Sequence, residues 1–298
     1  MEMLTLSHVK KSFGEKEVLK DVTFSVPEHT VFGFVGQNGA GKTTTMKIIL
    51  GLLPCGGGKI TVNGSPVCYG NTPTNQYVGY LPDVPEFYSC MTPMEYLRFC
   101  GEITGMRAGE IKSRSEELLR LTGLHGEKRR IKGFSRGMKQ RLGIAQALFG
   151  HPSLLICDEP TSALDPVGRK ELLDILESAK EQTTVLFSTH ILSDVEKICD
   201  EIAFLHEGRI AIRGSLEEVH KRRKASGTEL ETERGEDAGR LFKAFPFLKR
   251  TGRNVLLLED PERLPSILHF IADKNLRILR IERQETTLED LFMEVVGK

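Results

Sequence analysis

Apolar and polar residues alternate over positions 3–9 and 18–26, the two-residue rhythm of strands with one buried face. Asn63-Gly64 supplies a hairpin turn between segments 59–62 and 66–68, so the chain is expected to open as antiparallel sheet. The rhythm then changes. A short continuous apolar run, 31–35, ends in Gly36 and feeds a segment of helical composition, 42–50, stopped by Gly51. That order predicts a buried strand, a glycine turn and a helix.

From 92 to 122 apolar residues recur three and four apart (Met94, Leu97, Ile111, Leu118, Leu121), which predicts a helical insert over about 84–150. Strand-sized apolar runs return at 154–157, 185–188 and 202–205, separated by helical stretches, the alternation of a parallel α/β sheet. Polar, charged, glycine-containing sequence over 221–237 reads as a linker or exposed edge, and it places a domain boundary near Val219. Beyond it, 254–258 and 276–281 read as strands and 239–248, 263–274 and 287–296 as helices. The expectation is an α/β domain over 1–219 and a small α+β domain over 220–298, without an internal repeat.

Composition narrows the function. Lys plus Arg equal Asp plus Glu at 41 each, so no net basic field exists to gather nucleic acid, which is not an expected partner. The six cysteines show neither a CxxC pair nor zinc-ligand spacing and read as reduced thiols. No signal-like start and no apolar run of about 20 residues occurs, so the expected location is the cytosol, with any membrane role peripheral.

Candidate chemistry lies where the pattern breaks. Gly36-Gln37-Asn38-Gly39-Ala40-Gly41-Lys42-Thr43 matches GxxxxGK[ST] between the buried strand and the helix. Backbone N–H groups along Gly36, Asn38, Gly39, Ala40 and Gly41 are expected to curl around phosphate oxygens at a helix N-terminus. Lys42 reaches the β- and γ-phosphates, Thr43 ligates Mg²⁺, and Thr44 follows in the first helical turn. Leu154-Leu155-Ile156-Cys157-Asp158-Glu159 is an apolar strand ending in two acids, where ligand-facing residues emerge from open α/β sheets. Asp158 is the candidate Mg²⁺ holder and Glu159 the candidate general base for the attacking water.

Between these elements lies Phe134-Ser135-Arg136-Gly137-Met138-Lys139-Gln140-Arg141, running into 142–148. It resembles the LSGGQ signature of ABC ATPases in the form common in bacterial exporter ATPases, and the likeness spans residues 1 to about 220. Ser135 and Gly137 keep the consensus serine and second glycine, whereas Arg136 and Met138 depart from the first glycine and the glutamine. The resemblance implies a P-loop ATPase fold in which Ser135 and Gly137 grip the γ-phosphate of ATP held by another protomer. It implies that Phe13 stacks on adenine, that Asp165 in Ser162-Ala163-Leu164-Asp165 mediates cross-talk between protomers, and that His190 in Ser188-Thr189-His190 contacts the γ-phosphate as a switch. Where the family has glutamine, Gly79-Tyr80-Leu81-Pro82 is followed by Asp83, an oxygen donor able to reach Mg²⁺. The C-terminal part, ending in Thr287-Leu288-Glu289-Asp290-Leu291-Phe292, resembles the tail domain of the same branch. The function so implied is the ATP-hydrolysing subunit of a transporter, with ATP and Mg²⁺ as cofactors. It would act as a homodimer, or a heterodimer with a related ATPase, formed on ATP binding. It would sit on the inner face of the cell membrane and drive a separate polytopic permease, in export before import. A ribosome- or chromosome-associated ATPase is the alternative outside transport.

Overall fold

The computed structural model describes residues 1–221, 225–285 and 287–296. The chain divides into two compact units, Met1–Leu216 and Glu217–Lys298.

In the first unit β1 (Glu2–Phe13) and β2 (Lys16–Pro27) form a long antiparallel hairpin. Their inward positions, Leu4, Leu6, Val9, Leu19, Val22, Phe24 and Val26, are buried, as the alternation predicts. β3 (Val31–Gly36) is buried throughout and leads into α1 (Lys42–Ile49). β4 (Gly57–Val62) pairs with β1 and turns through Asn63 and Gly64, both at positive φ, into the short β5 (Ser65–Pro66). This left-handed pair is the backbone a two-residue hairpin requires.

There follow β6 (Val78–Leu81), then the helices α2 (Pro93–Ile103), α3 (Ala108–Leu121) and α4 (Arg136–Ala147). After them come β7 (Leu154–Asp158), α5 (Pro166–Ala179), β8 (Thr184–Thr189), α6 (Leu192–Ile198), β9 (Glu201–His206) and β10 (Arg209–Ser215). The sheet order is β5-β4-β1-β2-β10-β9-β3-β8-β7-β6, antiparallel at the β1 end and parallel from β9 through β3, β8 and β7 to β6. β6 was not foreseen; its four residues alternate too briefly to be read without the neighbouring β7.

β3 is central because both of its faces are used. Phe32 and Phe34 stack on Phe24 with ring centroids 5.5 and 5.2 Å apart, in one cluster with Met46, Ile48 and Ile49 of α1. On the opposite face Gly33 lets α6 approach so closely that a Cβ there would lie 2.8 Å from Cys199 Sγ. Phe34→Ala is expected to lower stability by about 3–5 kcal/mol, the usual cost of emptying a buried phenylalanine site. Urea unfolding followed by circular dichroism checks it.

The second unit begins in α7 (Leu216–Lys221). It continues as β11 (Ala225–Thr232), α8 (Gly235–Ala244), β12 (Lys249–Arg250), β13 (Val255–Leu258), α9 (Leu264–Asp273), β14 (Ile278–Glu285) and α10 (Leu288–Val296). The strands pair antiparallel in the order β12-β13-β11-β14, the split β-α-β-β-α-β arrangement. The linker reading of 221–237 is therefore corrected: β11 is an inner strand. Thr228, Leu230 and Thr232 are buried, and Leu230 joins Leu241, Leu256, Leu258 and Ile267 in a core. Glu229 and Glu231, which made the segment look like a linker, face the other way and are held by Arg280 at 2.8 and 3.4 Å. Helix α8 also starts before the expected 239–248, at Gly235.

Candidate functional site

The loop from Gly36 to Gly41 is fixed by close approach. A Cβ at Gly36 would lie 2.6 Å from Leu205 O, and one at Gly41 2.7 Å from the Leu19 side chain. Gly39 and Gly41 have φ of 81° and 112°, a region open to glycine. α1 starts at Gly41 without a side-chain cap, unlike α2 and α4, which Thr92 and Ser135 cap. Its first N–H groups thus remain donors for an anion at the positive end of the helix. Asn38 and Gly39 are exposed, Ala40 and Thr44 half-buried, and the Thr43 hydroxyl lies on an exposed residue of the first turn.

Lys42 is 5% exposed, and its Nζ donates to Gly36 O at 2.6 Å and Gln37 O at 3.2 Å. The same ammonium lies 3.1 Å from Glu159 Oε1. On the other side of that carboxylate, His190 Nδ1 donates to Oε2 at 2.9 Å. The P-loop lysine, the acid after β7 and the histidine after β8, far apart in sequence, therefore meet at one carboxylate.

Glu159 itself has φ 48°, a left-handed backbone that costs a non-glycine residue about 1–2 kcal/mol. Ser188 holds it there: Glu159 N donates to Ser188 Oγ at 3.0 Å and Ser188 O at 3.2 Å, and Ser188 Oγ donates to Asp158 Oδ1 at 2.7 Å. One hydroxyl thus sets both acids. The sequence reading missed this role, although a serine near the end of a fully buried strand was its available sign. Asp158 is 3% exposed. Tyr80, on β6, has its phenol pushed up to about 12 by burial, helped by the negative charges of Asp158 and Asp83, so it stays neutral.

The remaining predicted residues lie elsewhere. Phe13 ends β1 beside the hairpin turn, 48% exposed, with Lys11 Nζ 5.0 Å from its ring centroid. Ser135 caps α4, accepting from Met138 N at 3.2 Å, and Gly137 faces Leu164. Asp165 is the exposed residue that opens α5. Among the described residues, none of these four has a hydrogen bond or ion pair to Lys42 or Glu159. Asp83 has partners of its own: its Oδ1 accepts from Ser162 Oγ at 2.5 Å and from Arg136 Nη2 at 3.1 Å. Neither Ser162 nor Arg136 was foreseen as a partner for it. Thr161 Oγ1 donates to the buried Asp194 at 2.7 Å, tying the segment after Glu159 to the one after His190.

The arrangement fits a nucleoside triphosphate with a divalent cation: uncapped helix donors and a buried ammonium for phosphate, then a hydroxyl and a carboxylate, hard oxygen donors, for the metal. Among the described residues no helix is long and apolar enough to cross a membrane.

Residues 19–162 match the family model described as ABC transporter. The chain is 37% identical to the ABC transporter ATP-binding protein YxlF of Bacillus subtilis (strain 168), over 99% of each chain. It is 33% identical to the bacitracin transport ATP-binding protein BcrA of Enterococcus faecalis, over 99% of this chain and 96% of that one. A third relative, the linearmycin resistance ATP-binding protein LnrL of Bacillus subtilis (strain 168), is 32% identical over 99% of both. Among solved structures, an ATP-binding subunit of an ABC transporter superposes with a TM-score of 0.64 at 34% identity, covering 74% of this chain and 92% of that one. The protein cbiO1 from Clostridium perfringens gives 0.68 at 25% identity, over 74% and 91%.

Proposed function

Given that this chain belongs to the ABC transporter family of ATP-binding proteins and is an ATPase of that kind, we propose that it powers export through a separate membrane-spanning subunit. ATP binding and hydrolysis come with the family; the residue roles, the metal, the dimer, the partner and the direction are our reading.

The observation that carries the reading is the meeting of Lys42 and His190 on the two oxygens of Glu159 beside the uncapped start of α1. In the proposed step the β- and γ-phosphates lie on the loop N–H groups and the Lys42 ammonium. Glu159 takes a proton from water as the water oxygen bonds to the γ-phosphorus, and the bond to the β–γ bridging oxygen breaks, leaving ADP and phosphate. His190 holds the Glu159 carboxylate in orientation. Thr43 and Asp158 are the residues to hold Mg²⁺, which would neutralise phosphate charge. Phe13, exposed near the loop-packed β2, is the adenine platform.

Ser135 and Asp165 are exposed and Gly137 half-buried, apart from Lys42, which suits completion of the site by a second copy or a related ATPase. ATP would then hold two chains together, and hydrolysis would release them. The membrane subunit is placed at the insert, where Val84 and Tyr88 are 63% and 57% exposed, so the chain would work from the cytosolic face. The names of two relatives, one of bacitracin transport and one of linearmycin resistance, support export over import.

Two measurements test this. With ATP and Mg²⁺, the Glu159→Gln chain is expected to sediment as two copies per particle; one copy at high concentration overturns the dimer. The chain tagged in its native cell is expected in the membrane fraction with a polytopic protein, and recovery from the cytosol alone overturns the transporter role.

A further inference from the structure

Helix α4 holds the segment that follows β6 through one face. Arg136, Gln140 and Gly143 are spaced i, i+4 and i+7, so they share that face. Arg136 Nη2 donates to Asp83 Oδ1 at 3.1 Å, Gln140 Nε2 donates to Asp83 O at 2.6 Å, and Gly143 gives room for Leu81 and Pro85 to pack against the helix backbone. Ser162 closes the arrangement: its Oγ donates to Asp83 Oδ1 at 2.5 Å and accepts from Arg136 Nη2 at 3.1 Å. Ser162 N in turn donates to Glu159 O at 3.0 Å. Asp83 stands where the family has glutamine in the loop after β6, and Arg136 stands where the signature has its first glycine; here their side chains pair with each other.

We propose that Asp83 and Arg136 form one positioning pair that sets the N-terminus of α4, with Ser135 and Gly137, relative to Glu159 within the same subunit, and that Asp83 serves this pair rather than the metal. The inference rests on the ATPase reading above. Three segments meet at one carboxylate oxygen: the stretch leading to exposed Val84 and Tyr88, the helix start at Ser135, and the loop after Glu159. A shift of residues 84–88 is thereby passed to both halves of the phosphate site by contacts that exist, in steps of one hydrogen bond. The pair is 44% and 47% exposed, so its contribution to global stability is small and its effect belongs to the geometry of turnover.

The test is a double-mutant cycle in the full chain with Asp83→Asn, Arg136→Gln, both together, and the exchange Asp83→Arg with Arg136→Asp. Each single change is expected to lower kcat about tenfold, with KM for ATP and the half-saturating Mg²⁺ concentration within about twofold of the parent. The double variant is expected to be no slower than either single, and the exchange to recover part of the loss. Losses that multiply overturn the pair, as does a shifted Mg²⁺ dependence in Asp83→Asn that Arg136→Gln does not share, which would return Asp83 to the metal. Amide hydrogen exchange at Arg136 to Lys139 supplies a readout independent of turnover: both singles are expected to speed it equally, and the double no further. Unequal or unchanged exchange rejects the pair even if hydrolysis behaves as proposed, whereas coupled exchange with a fully active Glu159→Gln chain rejects the hydrolytic reading and leaves the pair standing.

Discussion

Glu159→Gln is expected to lower ATP turnover by a factor of about 10²–10⁴ while nucleotide still binds, the usual contribution of a general base. The substitution keeps the length of the side chain and an oxygen able to accept from His190 Nδ1, so the contact of 2.9 Å can persist. What is lost is the capacity to take a proton from water, together with the charge facing Lys42 at 3.1 Å. A glutamine in that place leaves the ammonium free for phosphate, so ATP affinity is expected to hold or rise. Phosphate release in a single turnover, set against equilibrium nucleotide binding, separates the two effects. Equal rates for parent and variant would remove Glu159 from the base role.

Lys42→Ala acts on the other side of the same contact and is expected to weaken ATP binding by about 100-fold, or about 3 kcal/mol, the range of one or two hydrogen bonds to a charged group. The ammonium is almost fully enclosed and donates to two carbonyls of the loop, so it is already oriented before phosphate arrives. Its removal also leaves Glu159 Oε1 facing an unfilled space beside the Gly36 and Gln37 carbonyls. Lys42→Arg is expected to restore little, because a branched planar guanidinium does not fit the space of a 5% exposed linear amine. Titration with a fluorescent ATP analogue measures both variants. Affinity within threefold of the parent in Lys42→Ala would place the phosphates elsewhere.

The parts of this site that were legible in the sequence are those set by contiguous residues. A buried apolar run, a glycine loop and a helix give β3, the phosphate loop and α1, and an apolar run ending in two acids gives β7 with Asp158 and Glu159 at its end. What could not be read depends on residues distant along the chain. Asp83 was read only through the family's glutamine position and its oxygen donors, and its contact with Arg136, 53 positions away, has no local sign in the sequence. The left-handed backbone of Glu159 is likewise set by Ser188, 29 positions on. In the second unit, Glu229 and Glu231 gave β11 the composition of a linker, and only their pairing with Arg280 from β14 makes the strand's alternation intelligible.

β14 has a further consequence for the behaviour of the protein in a crowded cell. Among the described residues it lies at the end of its sheet, with Leu279 and Ile281 63% and 40% exposed. An outer strand with free backbone groups and apolar side chains is a template on which other chains can polymerise. Arg280, Glu282 and Arg283 interrupt that stretch with charge, acting as gatekeepers, so that neutral replacements there would endanger solubility before they touched catalysis.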